Sequence, residues 1–227
     1  MLLPFYPIKK AMRLAASGCL LFVAMQGMAQ KNIDLDGEAS TYVNIRNPKD
    51  VGAMAMATIY NKKTFCQLRY NYEDTRTFSF YWGRPIVKES KKYYVQLVPT
   101  LGLSAGNFMG VSPSMQLYAE VGNFEIYSSS QTSICLTDVN RSFFFNWTEA
   151  QYNYKNILKA GMALQYLKQY PTMQRRNVEL PAAPVQQQVD LGPVVSLQYW
   201  RFCASGYFFN LWSNQRHYAV SLAYNFK

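Results

Sequence analysis

Over residues 217–226 the side chains change character at every step. Tyr218, Val220, Leu222, Tyr224 and Phe226 are apolar or aromatic, while His217, Ala219, Ser221, Ala223 and Asn225 are small or polar. A period of two puts the first set on one face of an extended strand and the second on the other. The same signal recurs upstream. From Ile33 onward it marks twelve segments of about ten residues: 34–45, 51–60, 64–73, 76–84, 92–103, 110–121, 124–134, 142–154, 158–167, 189–199, 202–210 and 216–226. Thr64–Glu73 sets Cys66, Leu68, Tyr70 and Tyr72 against Gln67, Arg69, Asn71 and Glu73; Val189–Tyr199 sets Val189, Leu191, Val195 and Leu197 against Asp190, Gly192, Ser196 and Gln198. A helix would scramble both sets.

Ten residues rising ~3.3 Å each and tilted about 40° span roughly 25 Å, the apolar band of an outer membrane. After Ala29 no run of 18 apolar residues exists, which excludes a helical membrane protein. Aromatic residues are 16% of the chain, and many fall near segment ends, including Tyr42, Tyr60, Tyr72, Trp82, Tyr93, Phe124, Phe143, Tyr154, Tyr166, Tyr199, Phe208 and Tyr218. Rings so placed suit the two interfaces of a bilayer. The expected fold is therefore all-β: one antiparallel transmembrane β-barrel of about twelve strands over residues 30–227, both termini periplasmic. Parity agrees with this arrangement. Gly122-Asn123 and Trp200-Arg201, after the sixth and tenth segments, are tight turns on the expected periplasmic side, and the longest connection, Lys168–Gln188, faces outward. Arg84–Lys91, with Pro85, is expected as a longer periplasmic link. The second and seventh segments alternate poorly, and Ser128, Ser130 and Thr132 would face lipid, so ten and fourteen strands stay open.

Lys9, Lys10 and Arg13, the apolar run from Leu14 to Met25 and Gly27-Met28-Ala29 read as a signal peptide, residues 1–29, cleaved near Ala29. Ala16-Ser17-Gly18-Cys19 offers a lipoprotein reading, but the apolar run lies mostly after Cys19. Removing the three leader cations from 23 basic residues leaves 20 against 13 acidic ones, a formal +7. These charges are scattered and form no basic helix or stripe, which argues against nucleic acid. The spacing of Cys66, Cys135 and Cys203 suits neither zinc nor a disulfide framework; small apolar wall residues are expected there, with one pair possible in an oxidising compartment. No metal site and no cofactor is expected.

Twelve strands ~4.8 Å apart enclose a backbone diameter of roughly 24 Å and, within it, a lumen of about 10 Å at most. Its candidate lining is Arg69, Glu38, Glu120, Glu125, Glu149, Lys159 and Asp190. The Gly122-Asn123 turn sets Glu120 opposite Glu125, both inward, where like charges repel unless water, a base or a cation intervenes. Arg69, in mid-strand, is the expected lumenal base, with Glu38, Glu149, Lys159 and Asp190 as its possible partners. Phe143, Phe145 and Trp147 share the face of Glu149 and look lipid-directed, yet Asn146 and Thr148 would cost less in lipid than a carboxylate, so Glu149 is expected inward. The set can act as a selectivity lining or as an internal ion-pair network that plugs the barrel. No catalytic residues are expected: Ser221 is four residues from His217, about 13 Å along a strand, beyond hydrogen-bond reach.

In its pattern of short alternating strands, the chain resembles the small outer-membrane β-barrels of Gram-negative bacteria, and Gln30 directly after the cleavage site resembles the habit of the Bacteroidota. The resemblance implies that the assembly machinery of the outer membrane reads the terminal strand through Tyr224 and Phe226. It further implies membrane lipids and lipopolysaccharide as surroundings. Among twelve-stranded barrels it implies either a channel for small solutes, such as nucleoside- or sugar-acid-specific pores, or a lipid-modifying enzyme, and the Ser/His spacing counts against the enzyme. The leading expectation is a narrow channel for small hydrophilic solutes. The second is a non-conducting structural or assembly component offering Lys168–Gln188 or Arg84–Lys91 to a protein partner. A third, a soluble barrel with a lipid-like ligand, would turn the apolar faces inward.

Overall fold

The computed structural model describes residues 36–47, 50–170 and 187–226; the expected signal peptide 1–29, Gln30 and most of the connection 168–188 lie outside the described residues. The described strands are β1 (Asp36–Asn47), β2 (Asp50–Tyr60), β3 (Phe65–Tyr70), β4 (Thr77–Gly83), β5 (Ile86–Ser90), β6 (Tyr93–Gly106), β7 (Gly110–Val121), β8 (Phe124–Cys135), β9 (Phe143–Tyr154), β10 (Leu158–Gln169), β11 (Gln187–Tyr199), β12 (Phe202–Phe209) and β13 (His217–Phe226). Each pairs antiparallel with its neighbours. β1 also pairs with β13, and β4 with β6, which closes a barrel of twelve strands: all but β5.

β5 corrects an expectation. Arg84–Lys91 is not an irregular link, because Ile86–Ser90 pairs with Tyr93–Leu97 and forms a hairpin that turns at Lys91-Lys92. Pro85 interrupts the strand that β4 begins, having no N–H to give the ladder. β6 simply continues, so the hairpin projects past the end of β3, and the other edge of β5 pairs with no strand among the described residues. The remaining turns at the rim that holds Asp36 and Phe226, the terminal rim, are short: 61–64, 122–123, 155–157 and 200–201. Gly122 (φ 61°) takes the left-handed conformation its turn requires.

The alternation seen in the sequence becomes two faces of one wall. Phe78 (61% exposed), Trp82 (60%), Leu197 (58%), Leu103, Leu191, Val220 and Leu222 point outward, whereas Ser79, Ser104, Ser112, Ser133, Ser196 and Ser221 are buried inward. The apolar side is thus outside, the reverse of a soluble barrel with an apolar lumen. Ring pairs stand outside at both rims, Phe124–Tyr152 and Phe202–Tyr224 at the terminal rim, Phe144–Tyr166 and Phe208–Tyr218 at the opposite one. β2 forms over its whole Ala/Met-rich length, and β8 turns Ser128 and Ser130 outward as expected. There they meet Asn146 and Thr148 of β9: Ser128 and Thr148 share a hydrogen bond of 2.8 Å, and the Asn146 amide donates to Ser130 Oγ at 2.8 Å. Bonded to one another, these groups lose less on leaving water.

The seam between β1 and β13 depends on Gly37. Phe226 pairs with Gly37, and a Cβ there would lie 2.1 Å from the Phe226 ring. Gly37→Val should displace this terminal ring and destabilise the folded barrel by about 1–3 kcal/mol, read as an earlier urea midpoint in lipid vesicles.

Candidate functional site

The interior is read most directly along β9, whose inward positions are Phe143, Phe145, Trp147, Glu149, Gln151 and Asn153. Glu149 points inward as expected, 9% exposed, and it accepts hydrogen bonds from Trp147 Nε1 (2.6 Å), Tyr207 (3.0 Å) and Gln151 (2.5 Å). The three aromatic residues go with it, which corrects their reading as lipid-directed. Strand parity allows nothing else, and the opposite face carries the Asn146–Ser130 cluster. Tyr42, Tyr60, Tyr72 and Phe143 likewise leave the expected girdle for the inward face. Tyr72 departs from the face of Leu68 and Tyr70 because Asn71 (φ 59°) ends the strand and breaks its alternation.

Two chords cross the lumen near mid-height. Tyr42 of β1 meets Trp147 of β9 edge to face, ring centroids 6.3 Å apart, although five steps of wall separate the two strands. Arg69 of β3 reaches Gln131 of β8 at 2.6 Å, over four steps. Arg69 is 3% exposed, donates to Gln67 at 2.7 Å, and lies over the rings of Tyr72 (4.3 Å) and Tyr81 (3.9 Å). Gly102 provides room for Tyr81, whose ring sits where a Cβ at 102 would be. The carboxylate near Arg69 is Glu73 at 3.9 Å, and none of Glu38, Glu149, Lys159 or Asp190, its expected partners, bonds to it. Glu73 is held in turn by Ser79 and by the Tyr81 hydroxyl at 2.6 Å.

The two chords separate a wide half from a narrow one. Toward the opposite rim a cavity of about 1060 Å³ runs from Asp74 and Arg141, themselves an ion pair, down to Arg69, Tyr127 and Trp147. Toward the terminal rim the lining is acidic. Glu120 stands directly across from Glu125, the register expected, and Lys159 neutralises Glu125 at 2.6 Å while Asn153 adds a bond of 2.7 Å. Glu120 accepts from Tyr118 at 3.3 Å. Glu38, on the inward face of β1, neighbours buried Ser40. The charges therefore form separate groups rather than one network.

Asp190 is buried in a further group at the opposite rim, bonded by Asn210 (2.6 Å) and Gln188, with His217 Nε2 at 3.8 Å. His217 pairs with Phe209, whereas Ser205 faces Ser221, so both serines lie four positions along the strand from the histidine level. At the closing strand Tyr224 packs on Phe202 at 4.9 Å and Phe226 lies over Gly37. Cys135 and Cys203 bond to Thr137 and Ser205 inside, contrary to their reading as apolar wall, while Cys66 alternates outward; all three are unpaired thiols. Sequence reading missed Glu73, Gln131, Tyr72 and Tyr81. Glu73 and Gln67 were visible on Arg69's face, but Gln131 is 62 residues away and no local pattern links them.

No protein-family model matches the sequence, and no curated protein matches it. Among solved structures the fold is similar to the KdgM porin, with a TM-score of 0.52 and 11% identity over 85% of this chain and 99% of that one. The KdgM porin in complex with disordered oligogalacturonate gives 0.51 and 12% over the same shares. The chain is thus a twelve-stranded barrel of porin architecture.

Because Arg69 ties Gln67, Gln131 and two rings together around Glu73, Arg69→Met should destabilise the barrel by about 2–4 kcal/mol. Adding Glu73→Gln should recover part of that loss, as measured by urea unfolding in lipid vesicles followed by tryptophan fluorescence.

Proposed function

We propose that the protein is a narrow outer-membrane channel for small hydrophilic solutes. The observation that carries this reading is a closed wall, apolar outside, around an interior that is polar except for an aromatic cluster about Trp147, Tyr207 and Phe209 and that holds a cavity of about 1060 Å³. A closed barrel leaves no unpaired strand edge within a bilayer, and its outward ring pairs suit the two interfaces. A signal peptide at 1–29, cleaved near Ala29, would deliver the chain to the periplasm, and a terminal strand ending at Phe226 would hand it to the assembly machinery. The short turns then lie in the periplasm, the cavity opens outward, and lipid and lipopolysaccharide surround the wall, in a Gram-negative host of the Bacteroidota type. The KdgM porin captured with oligogalacturonate supports a solute path through this architecture.

A solute would enter the wide half, pass the Tyr42–Trp147 and Arg69–Gln131 chords, and leave between Glu120 and the Glu125–Lys159 pair. The chords are the constriction, and the carboxylates near the exit favour cations. A second reading, a non-conducting component with a protein partner, is favoured by the β5 hairpin, whose outer edge has no partner strand among the described residues.

Single-channel recording in planar bilayers separates the two. Discrete steps are expected, with Trp147→Ala raising the unitary conductance by about twofold. Glu120→Gln with Glu125→Gln should lower the preference for cations. A folded wild-type barrel that gives no steps overturns the channel and moves attention to crosslinking partners of the hairpin.

A further inference from the structure

Three rings descend one strand toward the constriction. Phe143, Phe145 and Trp147 occupy successive inward positions of β9, so neighbouring rings are spaced ~6.8 Å along the strand. All three line the cavity. The register of β10 sets Gln169 directly beside Phe143 and Gln165 directly beside Trp147, and both glutamines line the same cavity. The rings are held by edge contacts with other walls: Phe143 by Phe108 at 5.9 Å, Phe145 by Tyr72 at 5.8 Å, and Trp147, at the foot of the ladder, by Tyr42, Tyr207 and Phe209. Asn44, from β1, also lines the cavity, and its side-chain oxygen is buried with no hydrogen-bond partner.

Flat apolar rings with amide groups at their edges, opposite an acceptor that lacks a donor, complement a particular kind of molecule. It has a C–H face to lie on the ring and hydroxyls around its margin to meet the amides. A pyranose has this form, and a ladder of more than one ring suits several of them in a chain.

Charge decides which saccharide. Of the three arginines lining the cavity, Arg141 is paired with Asp74, Arg69 is already engaged by Gln67, Gln131 and two tyrosine rings with Glu73 nearby, and Arg76 stands exposed at the mouth beside Asp74, away from the ring ladder. Below the chords, Glu38, Glu120, Glu125 and Glu149 face inward, with Lys159 as the one lumenal cation there among the described residues. An acidic sugar would meet like charge along the whole exit.

We propose that the cavity binds a short uncharged oligosaccharide on the Phe143–Phe145–Trp147 ladder and that the acidic half discriminates against uronates. The inference deepens the channel reading and rests on it for passage, while the binding step stands on the cavity alone. Isothermal titration of the folded, detergent-solubilised protein with maltotriose, cellotriose and trigalacturonate tests it, beside bilayer recording with the same three sugars. At least one neutral trisaccharide should bind roughly tenfold more tightly than trigalacturonate, and Phe145→Ala or Gln165→Ala should each weaken that binding by about tenfold. Trigalacturonate binding as tightly as the neutral sugars, or no neutral sugar binding at millimolar concentration, overturns the proposal. That wild-type comparison decides even where a variant fails to fold. Neutral-sugar binding to a barrel that gives no current would refute the channel and keep the site; current steps without sugar binding would do the reverse.

Discussion

Everything else in this structure depends on two strand pairings that simple hairpins do not supply, β1 with β13 across nearly the whole chain and β4 with β6 past the intervening β5. Until both form, the sheet has open edges whose backbone groups cannot be left in hydrocarbon. Once they form, inward and outward cease to be interchangeable, and every alternate residue is committed to the lumen. A one-residue slip at either seam would turn a whole face of side chains to the wrong side. Gly37 beneath Phe226 shows how closely the β1–β13 register is fitted.

Within that wall, small and large residues divide the space. The inside of β4, β6, β7 and β8 is largely hydroxyl-bearing, with Ser79 bonded to Ser104 and Ser112 to Ser133. These short side chains leave volume for long ones from other strands, so Arg69 can extend to Gln131 and Tyr42 to Trp147. Among the described residues the buried side-chain polar atoms are tied to partners, as a low-dielectric interior requires, with Asn44 Oδ1 and His217 Nε2 as the exceptions. The lumen is consequently divided rather than uniform: an aromatic half with a cavity, a crossing of two chords, and an acidic half moderated by Lys159.

Much of this was legible in sequence. The twelve alternating segments correspond to the twelve barrel strands, because a period of two is a local property that a half-polar wall imposes on every strand. Glu120 facing Glu125 followed from a two-residue turn, which sets register without reference to the rest of the chain. Glu149 inward followed from weighing a carboxylate against two uncharged polar groups. The errors have separate causes. Phe143, Phe145 and Trp147 were assigned to lipid because they are oily, yet parity tied them to Glu149, and the lumen contains apolar surface of its own. Tyr72 was misplaced because one left-handed residue, Asn71, ended its strand three positions early. Arg84–Lys91 read as a link because Pro85 breaks a strand, although β6 carries on beside it and recruits β5.

Sequence by itself determined the class of fold, the strand boundaries to within a few residues, and which face of nearly every strand meets the lumen. All of these follow from interactions between residues a turn or less apart, or from the alternation of one strand. Only the tertiary structure decided which side chains meet across the lumen. Arg69 has Gln131 for a partner and Trp147 has Tyr42 because closure brings together walls four and five strands apart. No periodicity encodes a chord of the barrel: its ends are set by the tilt and stagger of the closed sheet, which exist only after both seams have formed.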